Sequence, residues 1–140
     1  MIRDIISDQF LLSRMCQPCH VEDSYDQQII QDLKDTLNHQ RQVCVGMAAN
    51  MIGECKRMIA FIEKNGDIII MCNPSIITYK QPYKTIEGCL SLKGQKETTR
   101  YQQIKVSWID EHGKPKIKTY KDFIAQIIQH EIDHCNGILI

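Results

Sequence analysis

The segment His130-Glu131-Ile132-Asp133-His134 places two histidines four positions apart, with a glutamate directly after the first. On an α-helix, which turns by about 100° per residue, these histidines lie about 40° apart on one face. Two such imidazoles can bind one divalent metal ion without backbone strain. A glutamate at this position can accept a proton from a reacting water molecule. The spacing therefore predicts that His130 and His134 are metal ligands and that Glu131 is a general base.

A catalytic metal site of this kind needs a third protein ligand, which leaves the fourth position for water. The few residues after His134 offer no suitable ligand, so the third one is expected upstream. Residues 87–91 contain the best candidate, Cys89, because the preceding Gly88 lets the backbone approach an ion closely. We therefore expect Cys89 to complete the ligand set.

Helical patterns at the two ends of the chain can position these groups. The C-terminal helix is predicted to begin at a capping Asp122 and to end at Gly137. A second amphipathic helix is predicted over residues 24–39, after Asp23 as N-cap. The apolar stripe of the C-terminal helix consists of Phe123, Ile124, Ile127, Ile128 and Ile132.

Two hairpins are predicted between the helices. Residues 58–62 and 68–71 flank Asn65-Gly66, which is typical of a type I′ turn. Asn73-Pro74 is expected to break the second run, and a further short strand follows it. The other hairpin is predicted around Gly113, where alternating residues lie on both sides of the turn.

The order of helix, strands and helix indicates an α+β fold. We expect antiparallel, partly curved β-sheets packed around the C-terminal HExxH helix, with an N-terminal helix. No linker or repeat interrupts the sequence, so residues 1–140 are expected to form a single domain.

The composition bears on the class of protein. Lys plus Arg equals Asp plus Glu at 17 each, so the chain lacks the basic excess of a nucleic-acid-binding protein. No apolar run approaches the length of about 20 residues that spans a bilayer, and no secretory signal is recognised, so neither membrane association nor secretion is expected. Seven cysteines without a secretory signal are best interpreted as reduced thiols or metal ligands. A cytoplasmic location is therefore expected.

Three blocks of the sequence resemble motifs of the peptide deformylase family. Residues 87–91 are identical to its EGCLS motif, and residues 129–134 match its QHExDH motif. Residues 46–53 resemble its first motif, GxGxAAxQxG, less closely. The blocks occur in the family's order, and the resemblance covers essentially the whole chain. It implies a single deformylase-like domain over residues 1–140.

The resemblance implies a metal-dependent amide hydrolase that removes the formyl group from the N-terminal formyl-methionine of newly made polypeptides. Its expected partners are these nascent peptides, with transient proximity to the ribosome. The implied ion is Fe²⁺, with Zn²⁺, Ni²⁺ or Co²⁺ as substitutes. The Cys/His/His set suits several transition metals, so the residues alone leave this choice open.

Further roles are implied by the same resemblance. The backbone N–H of Leu90 is expected to bind the oxyanion together with the metal. Glu87 is expected to orient a ligand histidine, with Arg100 as its partner. The residues expected to bind the peptide or its methionine side chain are Val45, Gly46, Gly88, Phe123 and Ile127.

The first motif departs from the family pattern at three positions. Cys44 replaces a glycine, Asn50 a proline, and Met51 the glutamine whose amide donates a hydrogen bond to the oxyanion in the family. A thioether cannot donate, and losing one such donor costs about 2.7–4 kcal/mol of transition-state stabilisation. One alternative is therefore a deformylase-like protein with weak or altered amide hydrolase activity. Another is a non-catalytic metal- or peptide-binding module, although such a module would not need Glu131.

The remaining cysteines are expected to have no chemical role. Cys16 and Cys19 lie in a CxxCH pattern typical of c-type haem attachment, and a zinc site shared with distant residues is a further alternative. Ordinary loop cysteines are the preferred interpretation. Cys44, Cys55 and Cys72 have apolar neighbours in the sequence and are expected to be small core residues.

Overall fold

The computed structural model of the chain describes residues 1–139. Within this range the helices are α1 (Gln9–Leu12), α2 (Ser24–His39) and α3 (Asp122–Cys135), and a 3₁₀ turn spans Ala49–Ile52. The strands are β1 (Gly46–Ala48), β2 (Met58–Ile62), β3 (Ile68–Cys89), β4 (Leu92–Ile109) and β5 (Pro115–Lys121). None of the helices in the described range has both the length and the hydropathy that a transmembrane segment requires.

The five strands form one antiparallel sheet in the order β1-β2-β3-β4-β5. Each strand pairs with its neighbour in the sequence, and β1 and β5 are the edges. Helix α3 packs against β1, β2, β4 and β5, whereas α2 packs against β1, β2 and β3. The predicted α+β fold is confirmed. The motif-bearing helix therefore lies against most of the sheet, which holds it in a fixed position.

The predicted bounds of the helices are mostly confirmed. Helix α2 follows Asp23, whose carboxylate accepts a hydrogen bond from the Tyr25 N–H at 2.9 Å. The prediction that Asp122 caps α3 is wrong. Strand β5 runs directly into the helix, so Asp122 is already its first residue and Lys121 occupies the cap position without a side-chain bond. Gly137 ends the helix as expected, with φ of 75°.

The first hairpin exists, but its turn differs from the type I′ prediction. Gly66 has a φ of 92°, whereas Asn65 is not among the residues with positive φ. The Gly66 N–H donates to the Glu63 carbonyl at 2.9 Å, and the Asp67 N–H donates to the Asn65 side chain at 3.0 Å. This is a three-residue loop, in which a type I turn is followed by a left-handed glycine. The local side-chain bond of Asn65 favours that arrangement.

Strand β3 continues through Asn73-Pro74, where a break was predicted. The chain forms a bulge between Cys72 and Ser75, and Asn73 adopts a φ of 52°. The Asn73 amide bonds both the N–H and the carbonyl of Cys19, each at 2.8 Å, which holds this conformation. A bulge accommodates the proline without ending the strand.

The hairpin of β3 and β4 extends much further than the sequence patterns indicated. Its pairing continues to Cys89 and Leu92, so that the EGCLS segment ends one long strand and turns into the next. The shorter hairpin of β4 and β5 around Gly113 is confirmed, and Gly113 has a φ of 83°. The long hairpin is what carries Cys89 to the C-terminal helix.

One hydrophobic core joins the helices to the sheet. Cys72 is part of it as predicted, but Cys44 and Cys55 are only half-buried, since one lines a cavity and the other lies in a loop. Phe123 is also outside the core, with 60% of its surface exposed, although the helical stripe included it. The largest fully buried side chains are Leu12, Ile29, Leu33, Leu37, Met47, Met51, Met58, Ile59, Phe61, Met71, Ile104 and Ile128.

Candidate metal centre

Cys89, His130 and His134 lie together where the end of β3 meets helix α3. The Cys89 Sγ is 3.2 Å from the His134 Nε2, and the two histidine Nε2 atoms are 3.1 Å apart. All three ligand atoms lie within 4.8 Å of one another. The structure thus brings the three predicted ligands to one point from two distant parts of the chain.

The geometry and chemistry of these three atoms fit a tetrahedral transition-metal ion. Usual metal–sulfur and metal–nitrogen distances separate the ligand atoms of such a site by about 3.3–3.6 Å, which is close to the 3.2 Å and 3.1 Å distances from the His134 Nε2 to the Cys89 Sγ and the His130 Nε2. One thiolate with two imidazoles is a donor set that transition metals prefer over calcium or magnesium. Within residues 1–139, no other group of three His, Cys, Asp or Glu side chains has this proximity.

His130 is oriented by a buried carboxylate. Its Nδ1–H donates to the Glu87 Oε1 at 2.8 Å, because an ionised carboxylate can only accept. Arg100 donates to both carboxylate oxygens at 2.8 and 2.9 Å, and Gln126 donates to Oε2 at 2.9 Å. Burial opposes ionisation, but the hydrogen bonds from His130, Arg100 and Gln126 lower the pKa of Glu87 to about 2. This tautomer leaves the His130 Nε2 free to bind a metal.

Arg100 is itself held between two acidic groups. Besides Glu87, its guanidinium donates to the Asp133 Oδ2 at 2.6 Å. Asp133 belongs to the HExxH segment, so the bond ties strand β4 to helix α3. The predicted pairing of Glu87 with Arg100 is present in the structure as a bidentate, buried ion pair.

The two histidines differ in their protonation when no metal is bound. Burial lowers the pKa of His134 to about 4, and the nearby His130 charge adds to this effect. Burial also opposes protonation of His130, but hydrogen bonds with Cys89 and Glu87 raise its pKa to about 10. Asn50 fixes the helix at this point, since its side-chain amide donates to the His134 carbonyl at 2.8 Å. Asn50, which departs from the family pattern, thus anchors the metal helix.

Glu131 is buried beside the ligands, and its Oε1 has no hydrogen-bond partner among the described residues. Burial raises the pKa of Glu131 to about 7. Gly46 makes room for it, because a Cβ at Gly46 would lie 2.6 Å from the Ile127 Cγ2 and 3.0 Å from the Glu131 Oε2. A carboxyl group with this pKa can take and return a proton near neutral pH.

A cavity of about 280 Å³ opens over these groups. Its lining includes Leu90 and all five residues that were predicted to bind substrate, whereas His134 and Arg100 lie outside it. The lining residues are Val43, Cys44, Val45, Gly46, Met51, Ile86, Glu87, Gly88, Cys89, Leu90, Phe123, Gln126, Ile127, His130 and Glu131.

Four residues that line the cavity were not predicted as site residues from the sequence, namely Val43, Cys44, Ile86 and Gln126. Gln126 precedes His130 by one helical turn, a spacing that could have indicated its contact with Glu87. Cys44 was expected in the core, but it lines the cavity and its thiol donates to the Gly46 carbonyl at 2.8 Å. Burial raises the pKa of Cys44 to about 11, so it stays a thiol at neutral pH. No sequence signal distinguished it from a core cysteine.

Met51 lies at the wall of the cavity, where the resemblance places an amide donor. Its side chain is 1% exposed, and its Sδ accepts a hydrogen bond from the Ala48 N–H at 3.4 Å. The thioether therefore faces its own 3₁₀ turn and the cavity without any group that can donate. Cys44 and Met51 both line the cavity and depart from the family's first motif. Met51 has the clearer chemical consequence, because its thioether lacks the hydrogen-bond donor that a glutamine would supply there.

Known proteins match this chain over nearly its full length. The family model described as polypeptide deformylase matches residues 3–140. A peptide deformylase of Clostridium beijerinckii is 42% identical over 140 residues, which is 100% of both chains. One of Aquifex aeolicus is 34% identical over 145 residues, covering 99% of this chain and 85% of that protein. The crystal structure of a peptide deformylase from Legionella pneumophila superposes with a TM-score of 0.89 at 33% identity, covering 99% of this chain and 83% of the other.

Proposed function

The chain belongs to the polypeptide deformylase family of metal-dependent hydrolases, and on this premise we propose that it removes the formyl group from N-terminal formyl-methionine in newly made polypeptides. The observation that carries this proposal is the convergence of Cys89, His130 and His134 beside Glu131 at a cavity. A site that only bound a metal would not require a buried carboxyl group with a pKa near 7.

In this proposal Cys89, His130 and His134 hold the metal ion. When bound, the ion acts as a Lewis acid and makes a water molecule nucleophilic near neutral pH. Glu131 accepts the proton of the attacking water and then delivers it to the departing amine nitrogen. Its buried position excludes bulk water from this proton, and its raised pKa lets it serve both steps.

The remaining cavity residues bind and orient the substrate. The backbone N–H of Leu90 donates to the oxygen that becomes negatively charged when the formyl carbon is attacked. Strand β1 is an edge strand and Val45 directly precedes it, so Val45 and Gly46 can pair with an extended peptide, and Gly88 lines the same cavity. Phe123 and Ile127 provide apolar surface for the methionine side chain.

Glu87 and Arg100 act through His130. Their ion pair fixes the tautomer and the ring orientation of that histidine. Partners of this kind commonly contribute about 10- to 100-fold to metal affinity or activity, which corresponds to about 1–3 kcal/mol of free energy. We propose Fe²⁺ as the native ion, with Zn²⁺, Ni²⁺ or Co²⁺ as substitutes, since the donor set accepts all four.

The test is formate release from formyl-Met-Ala-Ser by protein purified without oxygen, with its metal content measured in the same samples. We expect one equivalent of metal, formate release, and loss of activity on exposure to air for the iron form only. The control is Glu131→Ala, which retains the ligands and should bind metal but release formate at least 100-fold more slowly. A metal-loaded protein that releases no formate would contradict the proposal.

Met51 favours one second candidate, a deformylase-like hydrolase with weak or altered activity. The same assay with acetyl-Met-Ala-Ser separates the two, because a site that has changed its acyl preference releases acetate faster than formate. We further propose a cytoplasmic location and one domain over residues 1–140. We also propose that the protein acts in transient proximity to the ribosome, where formylated chains emerge. Seven free cysteines and one shared core support the first two of these.

A further inference from the structure

Two thiols outside the metal centre lie in direct contact. The Cys55 Sγ is 2.9 Å from the Cys16 Sγ, although the residues are 39 positions apart in the sequence. Cys16 is 4% exposed, whereas Cys55 is half-buried and lies on the loop after the 3₁₀ turn. The pair therefore combines one protected thiol with one that solvent can reach.

The backbone places this pair in a geometry suited to a covalent bond. Gln17 and Lys56 form a parallel β-bridge, in which the Gln17 N–H donates to the Cys55 carbonyl at 3.0 Å and the Arg57 N–H donates to the Gln17 carbonyl at 2.7 Å. Cys16 and Cys55 precede the bridged residues, so they lie side by side across the two segments. Paired segments are about 4.7–4.9 Å apart, which falls within the Cα separation of about 4.4–6.8 Å found in disulfides.

We propose that Cys16 and Cys55 are a redox modification site. Peroxide-class oxidants convert the two thiols into a reversible disulfide bond between these residues. Cys55, as the accessible thiol, attacks one peroxide oxygen as thiolate, and the reaction gives a sulfenic acid and one water molecule. The Cys16 sulfur then displaces the sulfenic hydroxyl, which leaves as a second water molecule, and the S–S bond forms. Two thiols and one hydrogen peroxide thus yield one disulfide and two waters.

The environment of the Cys16 thiol agrees with this order of events. Burial and the contact with Cys55 raise the pKa of the Cys16 thiol, so that Cys16 is a poor first nucleophile. Its contact with Cys55 compensates in the second step, because the two sulfurs are already at reacting distance. The nearby Arg57 guanidinium opposes the rise in the Cys16 pKa and favours its thiolate once the sulfenic acid has formed.

A bond at this site would clamp two loops onto the end of the metal helix. The Cys16 N–H donates to the Cys135 carbonyl at 2.9 Å, and Arg57 donates to the Asn136 side chain at 2.8 Å. Both contacts lie directly after His134 in the sequence. The oxidised form should therefore be more resistant to unfolding from this end of α3.

A second contacting thiol pair serves as an internal control. Cys19 and Cys72 also form a side-chain contact, but both are buried, with 2% and 0% of their surfaces exposed. If access governs the reaction, a limiting amount of oxidant should link Cys16 to Cys55 and leave Cys19 and Cys72 reduced.

The experiment uses zinc-loaded protein, since Zn²⁺ is redox-inert and its binding occupies the Cys89 thiolate. The protein is treated with one equivalent of hydrogen peroxide, the remaining thiols are alkylated under acidic denaturing conditions, and the tryptic peptides are mapped by mass spectrometry. Fragment ions must assign the bond, because the peptides 15–34 and 42–56 each carry a second cysteine. We expect a bond between Cys16 and Cys55 that dithiothreitol reverses.

The bond should also raise the midpoint of thermal unfolding by about 5–15 °C, because it closes a long loop in the unfolded chain. Cys55→Ser is expected to fold, keep its metal, and show neither the bond nor the shift. The proposal is overturned if Cys16 and Cys55 remain reduced in the wild type, or if Cys55→Ser shows the same thermal shift. Both readouts are independent of formate release, so they are unaffected if the proposed function fails.

Discussion

Replacing Met51 with glutamine tests whether this site lost one hydrogen-bond donor or was rebuilt around the thioether. The Met51 side chain lines the cavity and its Sδ accepts from the Ala48 N–H at 3.4 Å. A glutamine of similar length can keep that bond through its Oε1 and direct its amide N–H groups into the cavity. Met51→Gln is therefore expected to add a donor without leaving the buried Ala48 N–H unpaired.

The expected gain follows from two opposing contributions. One oxyanion donor contributes about 2.7–4 kcal/mol to transition-state stabilisation. Imperfect pairing of the second amide hydrogen in the buried position costs about 1 kcal/mol. The difference, about 1.7–3 kcal/mol, corresponds to an increase in kcat/KM for formyl-Met-Ala-Ser of about 20- to 150-fold. The increase should appear mainly in kcat, because the oxyanion exists only after the formyl carbon is attacked.

The assay measures formate release at several substrate concentrations, with metal content and thermal unfolding determined for each variant. Met51→Leu is the matched control, since leucine has a similar volume and can neither donate nor accept. It should stay within a few-fold of the wild type. A Met51→Gln variant that is folded and metal-loaded but no faster than wild type would refute the reasoning, and so would an equal gain in Met51→Leu.

Three further predictions concern the surroundings of the metal ligands. Arg100→Met leaves the Glu87 carboxylate buried without its cation, so the free energy of unfolding measured in denaturant titrations should fall by about 3–5 kcal/mol. Adding Glu87→Gln as a second change removes the buried charge and should restore the lost stability. Gly46→Ala places a Cβ 2.6 Å from the Ile127 Cγ2, and this overlap should lower the free energy of unfolding by about 1–3 kcal/mol. The same overlap should displace Glu131 and reduce kcat about 100-fold. Unchanged kinetics in this variant would contradict the packing of Gly46 against Glu131. In the metal-free protein, burial raises the pKa of Glu131 from 4.5 to about 7, so the folded state binds the Glu131 proton more tightly than the unfolded state does. The stability gained from this protonation is fully present below pH 4.5 and is lost as the pH rises through about 7. The difference in unfolding free energy between wild type and Glu131→Gln should accordingly change by about 3 kcal/mol across that window, and a pH-independent difference would contradict the raised pKa.

Short-range patterns were sufficient for the elements and for part of the site. The spacing of His130 and His134 depends only on helical periodicity, and the bounds of α2 follow from its apolar face and the Asp23 cap. The two shorter hairpins were also predictable. Turn and cap details were less so, because Asp122 and Asn65 each have several local conformations and the adjoining strands select one of them.

The long β3–β4 hairpin was not predictable from alternation, since residues 79–102 are rich in polar side chains and much of the hairpin is exposed. Its pairing is specified by the strands on either side. The sequence motif therefore indicated Cys89 as a ligand, but its position beside α3 depends on a hairpin that local patterns did not show.

The sequence by itself determined which groups could do chemistry, because ligand type and helical spacing are properties of neighbouring residues. Tertiary structure decided the state of those groups. Burial between β1 and α3 raises the pKa of Glu131, and Arg100, brought by strand β4, keeps Glu87 ionised beside His130. It also placed Cys55 against Cys16, a contact that no spacing indicates. Desolvation and contacts between distant segments exist only in the folded chain, and for that reason they could not be derived from the order of residues alone.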